Sequence, residues 1–149
     1  MEISFEAEPH LTARPHAMSV LCYGSLVFSL PVRAEVRRVE YERDGVERKY
    51  PYCDYEYYPE SDWNYAYCAS KLERVEHDIN AIPFSSEHPP VTLRVNAQKI
   101  DWGLEDGYEL VCSKWPQSLT PLAPPEEIEL YPYGCAKLRM TELPMKNRQ

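Results

Sequence analysis

Glycine is scarce in this chain, with five in 149 residues and no cluster of them. A glycine-rich loop that cradles phosphate is therefore excluded, and nucleotide chemistry has no foothold. No G-x-S-x-G stretch occurs, so a local serine nucleophile is excluded as well. Cys22, Cys53, Cys68, Cys112 and Cys135 lack the two-residue spacing of zinc ribbons, and His10, His16, His77 and His88 lack H-x-x-x-H spacing. The expectation is no metal, no cofactor, and cysteines kept as thiols in a reducing compartment.

Long apolar runs are missing too. The stretch from Ala17 to Val32 is interrupted by Gly24 and Pro31 and is too short to cross a bilayer of about 30 Å as a helix. No basic region followed by an apolar one marks a signal peptide near Met1, so a cytoplasmic, non-membrane protein is expected. Basic excess is absent: 24 acidic against 16 basic side chains leave a net charge of -8. That field repels phosphate backbones, which argues against nucleic acid as a partner. The one basic cluster, Arg33, Arg37 and Arg38, is broken by Glu35 and followed by Glu40, as on a solvated strand face.

What is abundant is proline, with 14 residues, and tyrosine, with 12. Prolines spread at this density are incompatible with a helical bundle. Between them, Val91, Leu93 and Val95 alternate with Thr92, Arg94 and Asn96, and Ile128 and Leu130 alternate with Glu127 and Glu129. Leu138 and Met140 alternate likewise with Lys137 and Arg139. A period of two places the apolar members on one face of a half-buried strand. Residues 23–32, YGSLVFSLPV, are apolar on both parities, as a central strand covered on two faces would be, and Pro31 ends it.

Asp44-Gly45 predicts a two-residue hairpin turn, with opposite charges paired across its strands. Residues 71–82 fit helical and strand spacing alike and lean to strand. The predicted fold is all-β, an antiparallel β-sandwich of jelly-roll type with proline-rich loops and little helix. One domain is expected over residues 1–144, with a polar tail over 145–149.

Residues 54–67, DYEYYPESDWNYAY, hold six aromatics and four carboxylates with no lysine or arginine. If this segment begins as a strand, Asp54 and Glu56 project to one face about 7 Å apart. That separation is compatible with a glycosidase pair, although adjacent acids on a strand more often form a solvated edge. Tyr55 and Tyr57 then occupy the other face. Together with Trp63, Tyr65, Tyr67 and Trp102 they are candidates for a ligand or interface surface, with Asp54, Glu56 and Asn64 as polar candidates. Three uses stay open: anchoring a long loop, a partner interface, or a platform on which sugar rings stack.

Four stretches in order, 23–32, 54–67, PFSSEHPPVTLRVNAQKIDWG (83–103) and ELYPYGCAKLRMTELP (129–144), resemble the C-terminal part of the β-L-arabinofuranosidase family, glycoside hydrolase family 127, and its uncharacterised relatives. The "WNY" segment and the "PYGC" ending are the specific ones. Gly24-Ser25 stands where Gly-Pro is common, and Leu143 where Phe is frequent, as in a divergent member. The resemblance implies an α-helical toroid barrel that carries catalysis, with zinc and a cysteine nucleophile in one branch, followed by β-sandwich domains. This chain resembles the sandwich alone.

No catalytic residue of the family carries over, and the five cysteines match none of its zinc ligands. The resemblance therefore implies a non-catalytic domain, a remnant or partner of a split enzyme or an interaction module. Its partner would be a toroid-barrel protein or a second copy in a homodimer. The alternative is a free-standing carbohydrate-binding module that uses residues 55–67.

Overall fold

The computed structural model describes residues 7–108, 111–116 and 118–146, without the side chains of 69 and 70. Its strands are β1 (His10–Ala13), β2 (Met18–Tyr23), β3 (Leu26–Pro31), β4 (Ala34–Val39), β5 (Tyr41–Arg43) and β6 (Val46–Arg48). They continue with β7 (Asp54–Pro59), β8 (Tyr65–Glu76), β9 (Val91–Lys99), β10 (Glu126–Pro132), β11 (Arg139–Met140) and β12 (Glu142–Lys146). Among the described residues the only helical element is the 3-10 turn Tyr133–Cys135. The all-β expectation holds. The lean of 71–82 to strand holds as far as Glu76, where β8 ends.

The sandwich expectation gives way to ring closure. Hydrogen-bonded neighbours run β2-β12-β8-β9-β10-β3, and β3 pairs back onto β2, so six strands close into one barrel. Closure removes the open edges that two separate sheets would keep. The pairing is not wholly antiparallel, because β12 runs parallel to β8 with Met145 opposite Tyr67 and Lys146 opposite Cys68. The polar tail expected from Met145 therefore starts inside a strand, and residues 147–149 lie outside the described ones.

Alternation explains the core. Val91, Leu93 and Val95 of β9, and Ile128 and Leu130 of β10, are all buried, while Asn96, Glu126 and Glu127 face solvent. They cluster with Leu21, Phe28, Tyr67 and Leu143, and a barrel of this small size is filled by such side chains. Each fully buried Leu or Phe contributes about 1.5 to 3 kcal/mol. Pairing on both edges accounts for β3, whose Phe28, Ser29 and Leu30 are buried between β2, β10 and β11.

Two small sheets leave the barrel between β3 and β8: the ribbon β4–β7 and the hairpin β5–β6. The hairpin turns at Asp44 and Gly45, both at positive φ, 57° and 73°, as a type I′ turn requires. Its register sets Glu42 opposite Glu47 and Tyr41 opposite Arg48, so the expected cross-strand charge pairs do not form. Lys49, just past β6, instead reaches back to Glu47, at 2.9 Å.

A tyrosine and tryptophan segment split between core and arm

Residues 54–67 divide into two environments. The first half, β7, pairs with β4 and leaves the barrel wall, so Asp54, Tyr55 and Glu56 are exposed and Tyr57 is half-buried. The second half enters the barrel as β8, where Tyr65 and Tyr67 are buried. Trp102, the candidate beyond the segment, is buried at 4% exposure. Three of the six aromatic candidates are thus core residues, and they do not form one platform with Tyr55 and Tyr57.

Trp63 marks the joint between the halves. It is half-buried and meets Trp102 edge to face, while the Trp102 indole N–H donates to the Ser113 carbonyl at 3.0 Å. Asn64 donates its side-chain amide to the Ile100 carbonyl at 2.7 Å, and the Ile100 N–H donates back to the Asn64 carbonyl at 2.9 Å. This reciprocal pair ties the start of β8 to the end of β9. An apolar cleft of about 410 Å³ opens beside it, lined by Trp63, Trp102, Tyr57, Leu104 and Met140.

Burial governs the two core phenols. Tyr65 donates to Glu126 at 2.8 Å, and burial together with that carboxylate pushes its pKa well up. The Tyr67 hydroxyl is fully buried and has no hydrogen-bond partner among the described residues, and burial pushes its pKa up likewise. A buried hydroxyl of this kind carries an uncompensated desolvation cost.

On the ribbon the expected alternation is present. Antiparallel register sets Asp54, Glu56 and Tyr58 on one face with Glu35, Arg37 and Val39, and Tyr55 and Tyr57 on the other with Val36 and Arg38. Both acids act on phenols: Tyr58 donates to Glu56 at 2.8 Å, and the Asp54 carboxylate raises the Tyr41 pKa. Arg37 stacks over the Tyr58 ring at 4.2 Å. On the opposite face, Tyr55, Tyr57 and Val36 line a cleft of about 630 Å³ between ribbon and barrel, with Cys135 and Leu138 across it.

Two further constellations escaped the reading of the sequence. A cleft of about 710 Å³ gathers Glu60, Asp62, Glu126, Glu127 and Glu129 beside Trp63 and Arg33. Lys99 bonds Asp62, which raises the lysine pKa, and Tyr65 holds Glu126. In the second constellation Thr92, although on the polar parity of β9, is buried and donates to Glu129 at 2.8 Å. His77 lies 3.3 Å from the Thr92 hydroxyl, and Arg94 reaches Glu129 at 3.3 Å. The glutamates at alternate positions of β10 were the available signal, since cross-strand register brings Glu129 opposite Arg94.

No disulfide joins the cysteines, and burial raises the pKa of Cys112 and Cys135. Among the described residues no group of three or more His, Cys, Asp or Glu side chains is disposed to hold a metal ion. Nor is any helix there long and apolar enough to cross a membrane. Compared with known protein families, with curated proteins and with solved structures, the chain matches none.

Proposed function

We propose that the chain is a non-catalytic β-domain that acts as a contact module through the arm spanning residues 34–59. The observation that carries this reading is that every residue from 35 to 52 is exposed, including Val36, Val39, Tyr41, Val46, Tyr50 and Tyr52. Two-stranded ribbons are marginal by themselves, and exposed aromatic and β-branched side chains on one of them favour cover by a partner. The order and spacing of the four sequence stretches support kinship with the C-terminal part of family 127 glycoside hydrolases. On that reading the partner is a catalytic toroid-barrel chain or a second copy.

The experiment separates contact from anchoring. In Tyr50→Ser/Tyr52→Ser the thermal midpoint should stay within about 2 °C of the parent, because neither ring is buried. A drop of about 8 °C or more would make the tyrosines structural and end the contact reading.

A second reading, carbohydrate binding, is favoured by one observation: Tyr55 and Tyr57 share a strand face over the 630 Å³ cleft. Its site is narrower than residues 55–67, since Tyr65, Tyr67 and Trp102 are inside the fold. Titration calorimetry with arabinose-containing oligosaccharides tests it. Heat that disappears in Tyr55→Ala/Tyr57→Ala supports the reading, and no heat at millimolar sugar removes it.

A further inference from the structure

The arm presents one open strand edge whose charges are complementary to themselves. β4 is hydrogen-bonded to β7 on one side, and among the described residues no strand pairs with its other side. Its six residues contain no proline and no bulge, two devices that blunt an edge, and its charges, Glu35, Arg37 and Arg38, are of both signs. Val36, in its centre, is 52% exposed.

We propose that β4 pairs antiparallel with β4 of a second copy about a two-fold axis at Val36, joining two ribbons into one four-stranded sheet. The inference rests on the reading of the arm as a contact surface and narrows its occupant to a copy of this chain. When a two-fold axis stands normal to a sheet, one residue faces its own counterpart, and opposite residues share a face and a parity.

With Val36 on the axis, Glu35 faces Arg37 of the second copy and Arg37 faces Glu35 of the second copy. Ala34 then faces Arg38. No like charges meet. Placing the axis one residue either way sets Glu35 against Glu35, or Arg37 against Arg37, and an axis at Arg38 opposes two arginines. Like charges directly opposite are destabilising.

The other edge of the ribbon is closed to the same pairing. An axis at Tyr55 of β7 sets Asp54 against Glu56, an axis at Glu56 opposes it to itself, and an axis at Tyr57 sets Asp54 against Glu60. Glu35 and Arg37 already lie on one face, bonded to each other at 3.0 Å through both carboxylate oxygens. Pairing exchanges this contact in each copy for one across the axis, two for two. A single added strand pair makes a small interface, so association in the tens of micromolar is expected.

The test is charge exchange, read by light scattering and native mass spectrometry up to about 500 µM. The parent should dimerise. Glu35→Arg and Arg37→Glu, each alone, should weaken the dimer by about tenfold or more. The double variant E35R/R37E should recover it to within about threefold. The parent and the double variant should not mix, because a mixed pair opposes arginine to arginine and glutamate to glutamate.

Unchanged circular dichroism in each variant serves as the control for folding. As a second measurement, Val36→Cys should form a disulfide between two copies at position 36, identified by peptide mapping, since facing residues lie within disulfide reach. A parent that stays monomeric at 500 µM, statistical mixing with the double variant, or single variants that dimerise unchanged would overturn the proposal. A monomeric parent whose tyrosine variants keep their thermal midpoint separates this failure from failure of the contact reading.

Discussion

Trp63 and Trp102 meet edge to face, with ring centroids 5.5 Å apart and planes inclined at 70°. The pair joins the end of the arm to the barrel, because Trp63 precedes β8 and Trp102 follows β9. Aromatic pairs in this geometry add about 0.5 to 1.5 kcal/mol beyond the area they bury. Trp102→Ala should lower stability by about 3 to 5 kcal/mol in urea unfolding, the usual cost of emptying a buried indole site. A loss under 1 kcal/mol would mean that the ring is dispensable to the core.

Tyr67→Phe should leave the protein as stable as the parent or stabilise it by about 1 kcal/mol. The hydroxyl it removes is buried without a partner among the described residues, so deletion relieves a desolvation cost and breaks none of their bonds. Denaturant unfolding decides the matter. A loss above 1 kcal/mol would reveal a bond to that oxygen.

Alkaline pH should unfold the barrel through the same two phenols. Burial raises the pKa of Tyr65 and Tyr67 above the ordinary value near 10, so above that pH the unfolded chain releases protons that the folded chain retains. The stability these two phenols contribute therefore is fully present below about pH 10 and declines as pH rises toward the folded values, by about 1.4 kcal/mol per pH unit for each phenol. Unfolding curves at pH 9, 10 and 11 should show the decline, and Tyr67→Phe should make it shallower. A pH-independent midpoint across that window would contradict it.

Gly45→Val tests how far the arm is coupled to the barrel. At φ 73° a β-branched residue is strained by about 1 to 3 kcal/mol, but every residue of the hairpin is exposed. Amide exchange over residues 41–48 should accelerate while the global thermal midpoint moves by less than about 2 °C. A larger global shift would show that the hairpin is an integral part of the cooperative unit.

Hydrolysis of aryl arabinofuranosides and oligosaccharides by the chain alone is expected to be absent across pH, with or without zinc. Asp54 and Glu56 stand on the same exposed strand face, so they do not flank a sugar held between them, as glycoside cleavage needs. Turnover that is lost in Asp54→Asn or Glu56→Gln, and that survives repurification, would make the chain an enzyme.

Strand character was legible because it is local. The alternation of Val91, Leu93 and Val95 and the Asp44-Gly45 turn each depend on a few adjacent residues, and both are present. Ring closure was not legible, because it rests on β3 meeting β2 as well as β10, contacts that no local pattern encodes. The same limit explains the aromatic segment. Tyr55, Tyr57, Tyr65 and Tyr67 look alike in sequence, and only the crossing of the chain from arm to barrel near Trp63 separates exposed rings from buried ones.

Thr92 follows the same limit. Its parity is polar, yet Glu129, diagonal to it on the neighbouring strand, and a nearby histidine make burial of its hydroxyl tolerable.

The parallel pairing of β12 with β8 has a consequence for biosynthesis. The strand that seals the ring between β2 and β8 is Glu142–Lys146, so a nascent chain exposes two unpaired edges until residue 146 has left the ribosome. Those edges are templates for misassociation during the seconds that translation takes.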